Sequence, residues 1–318
     1  MNYVISRLVR QFVPLVFIAS ILIFGLIELL PGDPAVIALG ETATPESVTA
    51  MRHEMGLDRP LPERYMTWLG HALQGDFGRS TTGKTVGALL SQSLPSTLEL
   101  AFVAFAIGNV LGIALGVLAG VYRGKFVDAA IGVITSLLIA VPSFVAGLLV
   151  LLVFTVWLGW FPSAGRVAFT DNPVQAIQHI TLPALSLAGV VAAIISRFTR
   201  QSIVDTLTND YIRTARSKGL SERTVIIRHA LKPSMLPVVT VIGVQLGGLI
   251  GGAIVIEQVF TWPGMGRLLI GAVSSKDYPV IQAITLLLVA SYLLFNLLTD
   301  LAYAWLDPRL RQALGRRG

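Results

Sequence analysis

Six stretches of the chain carry no Asp, Glu, Lys or Arg over roughly the 20 residues a helix needs to cross about 30 Å of hydrocarbon at 1.5 Å per residue. They run over residues 11–27, 100–122, 129–165, 172–196, 233–256 and 278–299. The third is too long for one straight span and contains Pro142, so the pattern predicts a bent helix followed by an interfacial stretch around Trp157, Trp160 and Phe161. The first run follows Arg7 and Arg10, as a secretory signal would, yet its apolar core exceeds a signal's and no A-x-A-like cleavage site follows. It reads as a first span.

Two polar stretches between these runs also carry helical signals. In 31–95, TPESVTAMRHEMG has Thr44 as N-cap, Pro45 at the first helical position and Gly56 as a stop, and LPERYMTWLGHALQG follows as a second short helix. Such a segment either contacts a soluble partner or covers the helix ends, and sequence does not choose between the two. In 197–235, the run NDYIRTARSKGLSERTVIIRHALKPS reads as a helical pair. Asp210 caps Tyr211 to Lys218, Gly219 ends that turn, and Ser221 caps a second helix closing with Arg228, His229 and Lys232 before Pro233. Val225, Ile226 and Ile227 give the second helix an apolar side.

Composition agrees with the spans: 54% of the 318 residues are hydrophobic and 13% charged, against roughly 25% charged in a soluble domain. Mean hydropathy is +0.73. The absence of cysteine removes disulfide and thiolate chemistry. The net charge of +6 is informative through its placement. If the spans alternate with both termini in the cytoplasm, sixteen of the 24 Lys/Arg face that side, among them Arg123, Lys125, Arg309, Arg311, Arg316, Arg317 and eight between Arg197 and Lys232. The inverse topology opposes the positive-inside bias. A solvated loop whose basic charge only fixes topology is the plain alternative, although it needs no capped helices; tethering between two spans disfavours a DNA-reading helix pair, and no nucleic acid partner is expected.

The segment around 209–234 resembles the cytoplasmic loop of ATP-binding-cassette (ABC) importer permeases, in which E-A-A, three residues, Gly and a later I-x-L-P recur. Here Arg213-Thr214-Ala215 stands at E-A-A, Gly219 matches, and HALKPSMLPVV replaces the last part. YIRTARSKGL followed by RHALKPSMLPVV is similar to the dipeptide, oligopeptide and nickel branch, as are ELLPGDPA, GLDRPLPERY, GDFGRS, LPSTLEL and IEQVFTWPGMGRLL. The resemblance implies an all-α polytopic membrane protein with six transmembrane helices, like a type I ABC importer permease, forming a single domain over 1–318. It implies a bacterial inner-membrane location, a second homologous permease subunit, two ABC ATPase subunits binding ATP and Mg²⁺, an extracytoplasmic solute-binding protein, and the lipid bilayer around them. No cofactor is expected in this chain. The solute class implied is di- or oligopeptides. By position, Tyr211, Arg213, Thr214, Ala215, Gly219 and Leu220 would contact the ATPase. Arg213 departs from the family's acidic residue and leaves the ion pairs there undefined.

One motif points elsewhere. GRSTTGKT, residues 78–85, fits the phosphate-binding pattern G-x-x-x-x-G-K-[ST], which needs a buried strand before it and a helix after it. HALQGDF is no such strand, so catalysis is not expected here and the chain is not read as an enzyme.

Within the spans, Gly108, Gly112, Gly116 and Gly120 share four-residue spacing, which packing explains. The fifth span holds Gly243, Gly247, Gly248, Gly251, Gly252 and Gln245; either packing or a translocation path accounts for them, with Gln245, Gly247, Gly248 and Gly251 as path candidates. Glu99, Glu257 and Asp300 fall at span ends, where a carboxylate can reach the interface. His53, His71, His179 and His229 are scattered and support no metal site. A secondary transporter driven by an ion gradient is the rival class; it predicts inverted repeats and carboxylates at midplane, and neither is evident.

Overall fold

The structure is a computed structural model and describes residues 10, 12–29 and 32–306. Arg7, Arg309, Arg311, Arg316 and Arg317 lie outside these, as does the side chain of Asp300. The described residues form helices and connecting turns: α1 (Val13–Glu28), α2 (Pro34–Leu39), α3 (Pro45–Glu54), α4 (Leu61–Leu73), α5 (Val86–Val121), α6 (Phe126–Ala140), α7 (Ser143–Trp157), α8 (Pro173–Leu207), α9 (Asp210–Ser217), α10 (Glu222–Val259), α11 (Met265–Ser274) and α12 (Tyr278–Leu306). The chain is an all-α membrane protein. Helices α5, α8, α10 and α12 are each long and apolar enough to cross a bilayer, and α6 with α7 make a further candidate span bent by 105°. Helix α1 has 16 described residues.

The bend falls at Val141 and Pro142, where Val141 takes extended dihedrals. A residue preceding proline is driven out of the helical region, so the predicted kink becomes a full break. Beyond it, α7 ends in π-helical turns over Leu152–Trp157, with Trp157 and Trp160 exposed.

The chain divides into two compact units, residues 1–96 with 264–294, and 97–263 with 295–318. In the first, Phe24 of α1 lies edge-on to Tyr65 of α4 at 5.5 Å and beside Trp68 at 5.7 Å, while Arg64 binds Glu28 through two hydrogen bonds of 2.8 and 2.6 Å. The three α4 residues fall at i, i+1 and i+4, which puts one stripe of that helix on α1. Thr44 caps α3 in a reciprocal capping box with Ser47, and Gly56 has φ +64°, as the sequence predicts. A separate apolar core gathers Val86, Leu90, Met265, Ala272, Val280 and Ile284.

In the second unit, α8 is the most buried helix. The four glycines of α5 face it in register. A Cβ added to Gly108 would stand 2.8 Å from Val191, to Gly112 2.7 Å from Ile195, to Gly116 2.5 Å from Thr199, and to Gly120 2.7 Å from Ile203. Four-residue rows therefore meet four-residue rows at backbone contact. Because both sets of numbers rise together, α5 and α8 run parallel. The chain between them must cross back once, so α6 and α7 count as one span. Ion pairs at both ends agree: Asp128 at the start of α6 binds Arg200 late in α8, and Arg166 after α7 binds Glu99 early in α5. Helix α10 returns the other way, with Ser234 accepting from Ser202 near one end and Glu257 accepting from Thr97 at the other.

Replacing Gly116 with Ala is expected to lower the thermal midpoint in detergent by an amount matching about 1–3 kcal/mol, since neither Thr199 nor the Ser196 carbonyl can retreat. Gly132→Ala, where nothing lies within 4 Å, should leave the midpoint unchanged or raise it. Equal effects from the two substitutions would contradict the close-approach geometry.

Candidate functional site

The polar segment after α8 folds as a tight helical hairpin. Only Thr208 and Asn209 separate α8 from α9. Asn209 is the N-cap, with extended dihedrals and its carbonyl accepting from Ile212 and Arg213, so the predicted cap shifts by one residue. Asp210 becomes the first helical residue and stands 3.6 Å from Arg213, one turn on.

The exit of α9 is fixed by glycine. Gly219 has φ +76°, its N–H bonds the carbonyl of Arg216 at 2.9 Å, and Leu220 N–H reaches back to Ala215 at 3.4 Å. This is the Schellman arrangement, whose left-handed residue penalises any Cβ.

Ser221 is the next N-cap by position, though its hydroxyl pairs with that of Thr224 and not with the backbone. The helix it opens does not stop before Pro233. It widens into π turns over Val225–Ala230 and continues as Leu231–Val259, so hairpin and fifth span form one helix, Glu222–Val259. Pro233 follows the π turns by three residues and lies inside this one helix.

The hairpin has its own small core. Ile212 and Ala215 of α9 pack with Val225 and Ala230 of α10, and Leu207 closes it from α8. Of the predicted apolar side, Val225 is buried and Ile226 half-buried, whereas Ile227 is exposed, because a π turn rotates successive residues differently from an α turn. Arg216 binds Glu222 at 2.7 and 3.3 Å, bracing the two helices across the turn. That pair escaped sequence reading, since six residues separate its members and a turn intervenes.

The structure leaves Tyr211, Arg213, Thr214, Gly219 and Leu220 exposed and buries Ala215 in the hairpin core. On α10, Gly247 is buried, Gln245 is half-buried, and Gly248 and Gly251 are exposed with no atom near a would-be Cβ. Val244, Val255 and Gln258 extend that exposed line, so that its five residues are spaced by four, three, four and three. Gly243 belongs to another face, where a Cβ would overlap Thr299 of α12.

Glu257 differs from expectation. It does not reach an interface: it is fully buried, and its Oε1 accepts from Thr97 Oγ1 at 2.6 Å. Position at a helix end does not give exposure when the following turn folds back, and here Trp262 donates to the Glu257 carbonyl at 2.8 Å. Among the described residues no three of His, Asp and Glu are grouped to hold a metal.

The GRSTTGKT segment is a tight loop closed by an isolated bridge between Arg79 and Thr85. Its donors turn to a carboxylate of the same unit: Asp277 Oδ2 accepts from the Ser80 hydroxyl at 2.5 Å and from Thr81 N–H and hydroxyl at 3.1 Å each. No strand precedes it among the described residues.

A bundle of parallel and antiparallel apolar helices, with an amphipathic hairpin rooted in two of them, defines the class of polytopic α-helical membrane proteins. The chain belongs to the family of binding-protein-dependent transport system inner membrane components: the family's sequence pattern matches residues 112–312, and its N-terminal component matches residues 1–101. It is thus a transport component and not itself an enzyme. It is 42% identical over 313 residues to the glutathione transport system permease protein GsiC of Escherichia coli K12, covering 98% of this chain and 99% of that one. A Brucella suis biovar 1 protein, whose name proposes a peptide permease, is 45% identical over 298 residues, covering 92% and 93%. In fold it is similar to the inward-facing MetNI methionine ABC transporter, with TM-score 0.55 and 21% identity over 69% of this chain and 96% of that one.

Asp277→Ala should destabilise the first unit by roughly 1–3 kcal/mol, because it strands three donors, whereas Lys84→Ala should leave stability and transport unchanged. Limited proteolysis between residues 76 and 86 and an uptake assay read the two effects. A transport defect confined to Lys84 would revive a phosphate role for the loop.

Proposed function

We propose that this chain is one half of the translocation path of an ATP-driven importer of short peptides. A second, homologous permease completes the path, two ABC ATPase subunits carry ATP and Mg²⁺, and an extracytoplasmic solute-binding protein delivers the solute. Residues 197–235 form the coupling loop, and 31–95 face the other side. The names of the relatives support the solute class, glutathione itself being a tripeptide.

The observation that carries the coupling role is the joint at each end of the hairpin. Two residues link α9 to α8, and α10 passes into its span without interruption. A force applied to the exposed face of Tyr211, Arg213, Thr214 and Leu220 is therefore delivered to two membrane helices rather than absorbed by a loop. Gly219 holds the angle between the arms, and Gln245, Gly248 and Gly251 on α10 lie on the side offered to the path.

Charge supports the sidedness of this reading. Arg123, Lys125, Arg197, Arg200 and the hairpin share one end of the second unit, and Arg166 stands at the other, so the positive-inside bias favours a cytoplasmic hairpin, and with it the cytoplasmic termini of the proposed topology.

Gly219→Val tests the reading in the complete transporter reconstituted in vesicles. A β-branched residue at φ +76° disfavours the Schellman exit by about 1–3 kcal/mol. ATP hydrolysis should persist while glutathione or dipeptide uptake falls by at least ten-fold, with insertion unchanged. Undiminished uptake, or uptake by this chain alone under an ion gradient, would count decisively against coupling.

A further inference from the structure

The first unit holds an open cavity of about 600 Å³ that the coupling mechanism does not use. Its size is that of a small-molecule site. Helix α4 lines it with Arg64, Thr67, Trp68 and His71, at i, i+3, i+4 and i+7, so one stripe of that helix forms a wall. The end of α3, the loop after α4 and the first turns of α12 complete it.

Gln282 of α12 is the group on this wall that most calls for a ligand. It is only 9% exposed, yet its amide makes no hydrogen bond to any described residue. Buried side-chain polar atoms nearly always have partners, so an orphan amide lining a cavity marks a place for a polar group from outside. The charges on the wall are of both signs. Arg64 is committed to Glu28 and Arg59 to Glu63. Arg79 and Lys276 have no carboxylate, and Glu54 and Asp76 no cation, within ion-pair distance among the described residues. Arg79 and Lys276 each directly precede one member of the Ser80–Asp277 hydrogen bond, so both are rooted at the same point of the wall. Lys276 is held there at φ +55°, a left-handed conformation that a lysine keeps only where its surroundings fix it.

We infer that this cavity binds a free short peptide, with a peptide group on Gln282, the terminal charges answered by the unpaired cations and carboxylates of the wall, and an apolar side chain against Trp68. The unsatisfied chemistry fixes the class. A peptide group offers one donor and one acceptor, which is what an unpartnered Gln amide lacks. A zwitterion answers charges of both signs, where a simple anion or cation answers one. Inorganic ions leave Gln282 unpaired, and a phosphatidylethanolamine headgroup carries both charges but no amide. Use of the cavity to hold solute before it enters the path rests on the peptide-import reading above; the binding itself does not.

Calorimetric titration of the full chain in detergent with the tripeptide Ala-Phe-Ala tests it, against the N-acetylated, C-amidated form that keeps the peptide groups and loses both charges. The free tripeptide should bind roughly ten-fold more tightly. Gln282→Met keeps the side-chain length and removes both polar atoms, so binding should weaken roughly three- to ten-fold while the thermal midpoint holds or rises, an unpartnered buried amide being itself destabilising. A purely structural Gln282 predicts the reverse, a lower midpoint with unchanged binding. Lys276→Asn, which suits the left-handed backbone, and Arg79→Gln should each weaken binding by a similar factor, and Arg79→Lys should preserve it. Equal affinity for the free and capped peptides, a Gln282→Met variant that binds as the parent does, or displacement by phosphatidylethanolamine added to the micelles overturns the proposal. Its failure is separable from that of peptide import. A chain that binds Ala-Phe-Ala within a transporter that carries no peptide keeps the site and refutes the import reading, whereas peptide uptake by the complete transporter without binding to this chain refutes the site alone.

Discussion

The contact between α5 and α8 sets the geometry of the larger unit. Lipid is as apolar as any leucine, so burial alone does not drive two membrane helices together; they associate where their surfaces allow close atomic contact. Four glycines one turn apart remove every Cβ from one stripe of α5, and Val191, Ile195, Thr199 and Ile203 fill the space. Dispersion falls steeply with separation, so a row at backbone distance is worth far more than the same row held a methyl group away. Only one register satisfies all four glycines.

That register has consequences at both ends. It brings Arg200 of α8 to the level of Asp128, just beyond the end of α5, and it leaves Glu99 level with Arg166. The charged pairs do not create the alignment; partly exposed ion pairs contribute little on their own. They mark where the helices end and discourage slippage by a turn. Helix α8 continues beyond the last glycine contact to Leu207, which enters the hairpin core directly. The hairpin is thus built on the helix whose position is most tightly determined, and the Ser202 to Ser234 hydrogen bond ties its other arm to the same place.

Much of this was legible in the sequence. The charge-free runs located the spans, Pro142 located the break, the capping signals of α3 were correct to the residue, and glycine at 219 announced a left-handed turn. Small residues at four-residue spacing on α5 pointed to packing, although their partners on α8 could not be read, because Val191, Ile195 and Thr199 look like any lipid-facing residues until the facing surface is known. Two readings failed for a common reason. Local rules read Pro233 as a stop and Glu257 as an interfacial carboxylate. The helix widens into π turns before Pro233 and runs on through it, and the turn after Glu257 folds back over it. Both are decided by what the chain does several residues away, which no single-residue preference encodes.

The GRSTTGKT loop makes the same point from the opposite side. Two of its hydroxyls and one of its N–H groups do what their chemistry dictates, which is to converge on an anion. The anion is Asp277, a carboxylate of the same unit, buried and held by three donors. Such a loop opposite a phosphate binds a nucleotide only when a strand and a helix hold it open toward solvent. Closed onto its own carboxylate, it fastens residues 80 and 81 to the turn before α12. The letters therefore specify a loop that seeks negative charge, and the fold decides whether that charge arrives as a ligand or is already part of the chain.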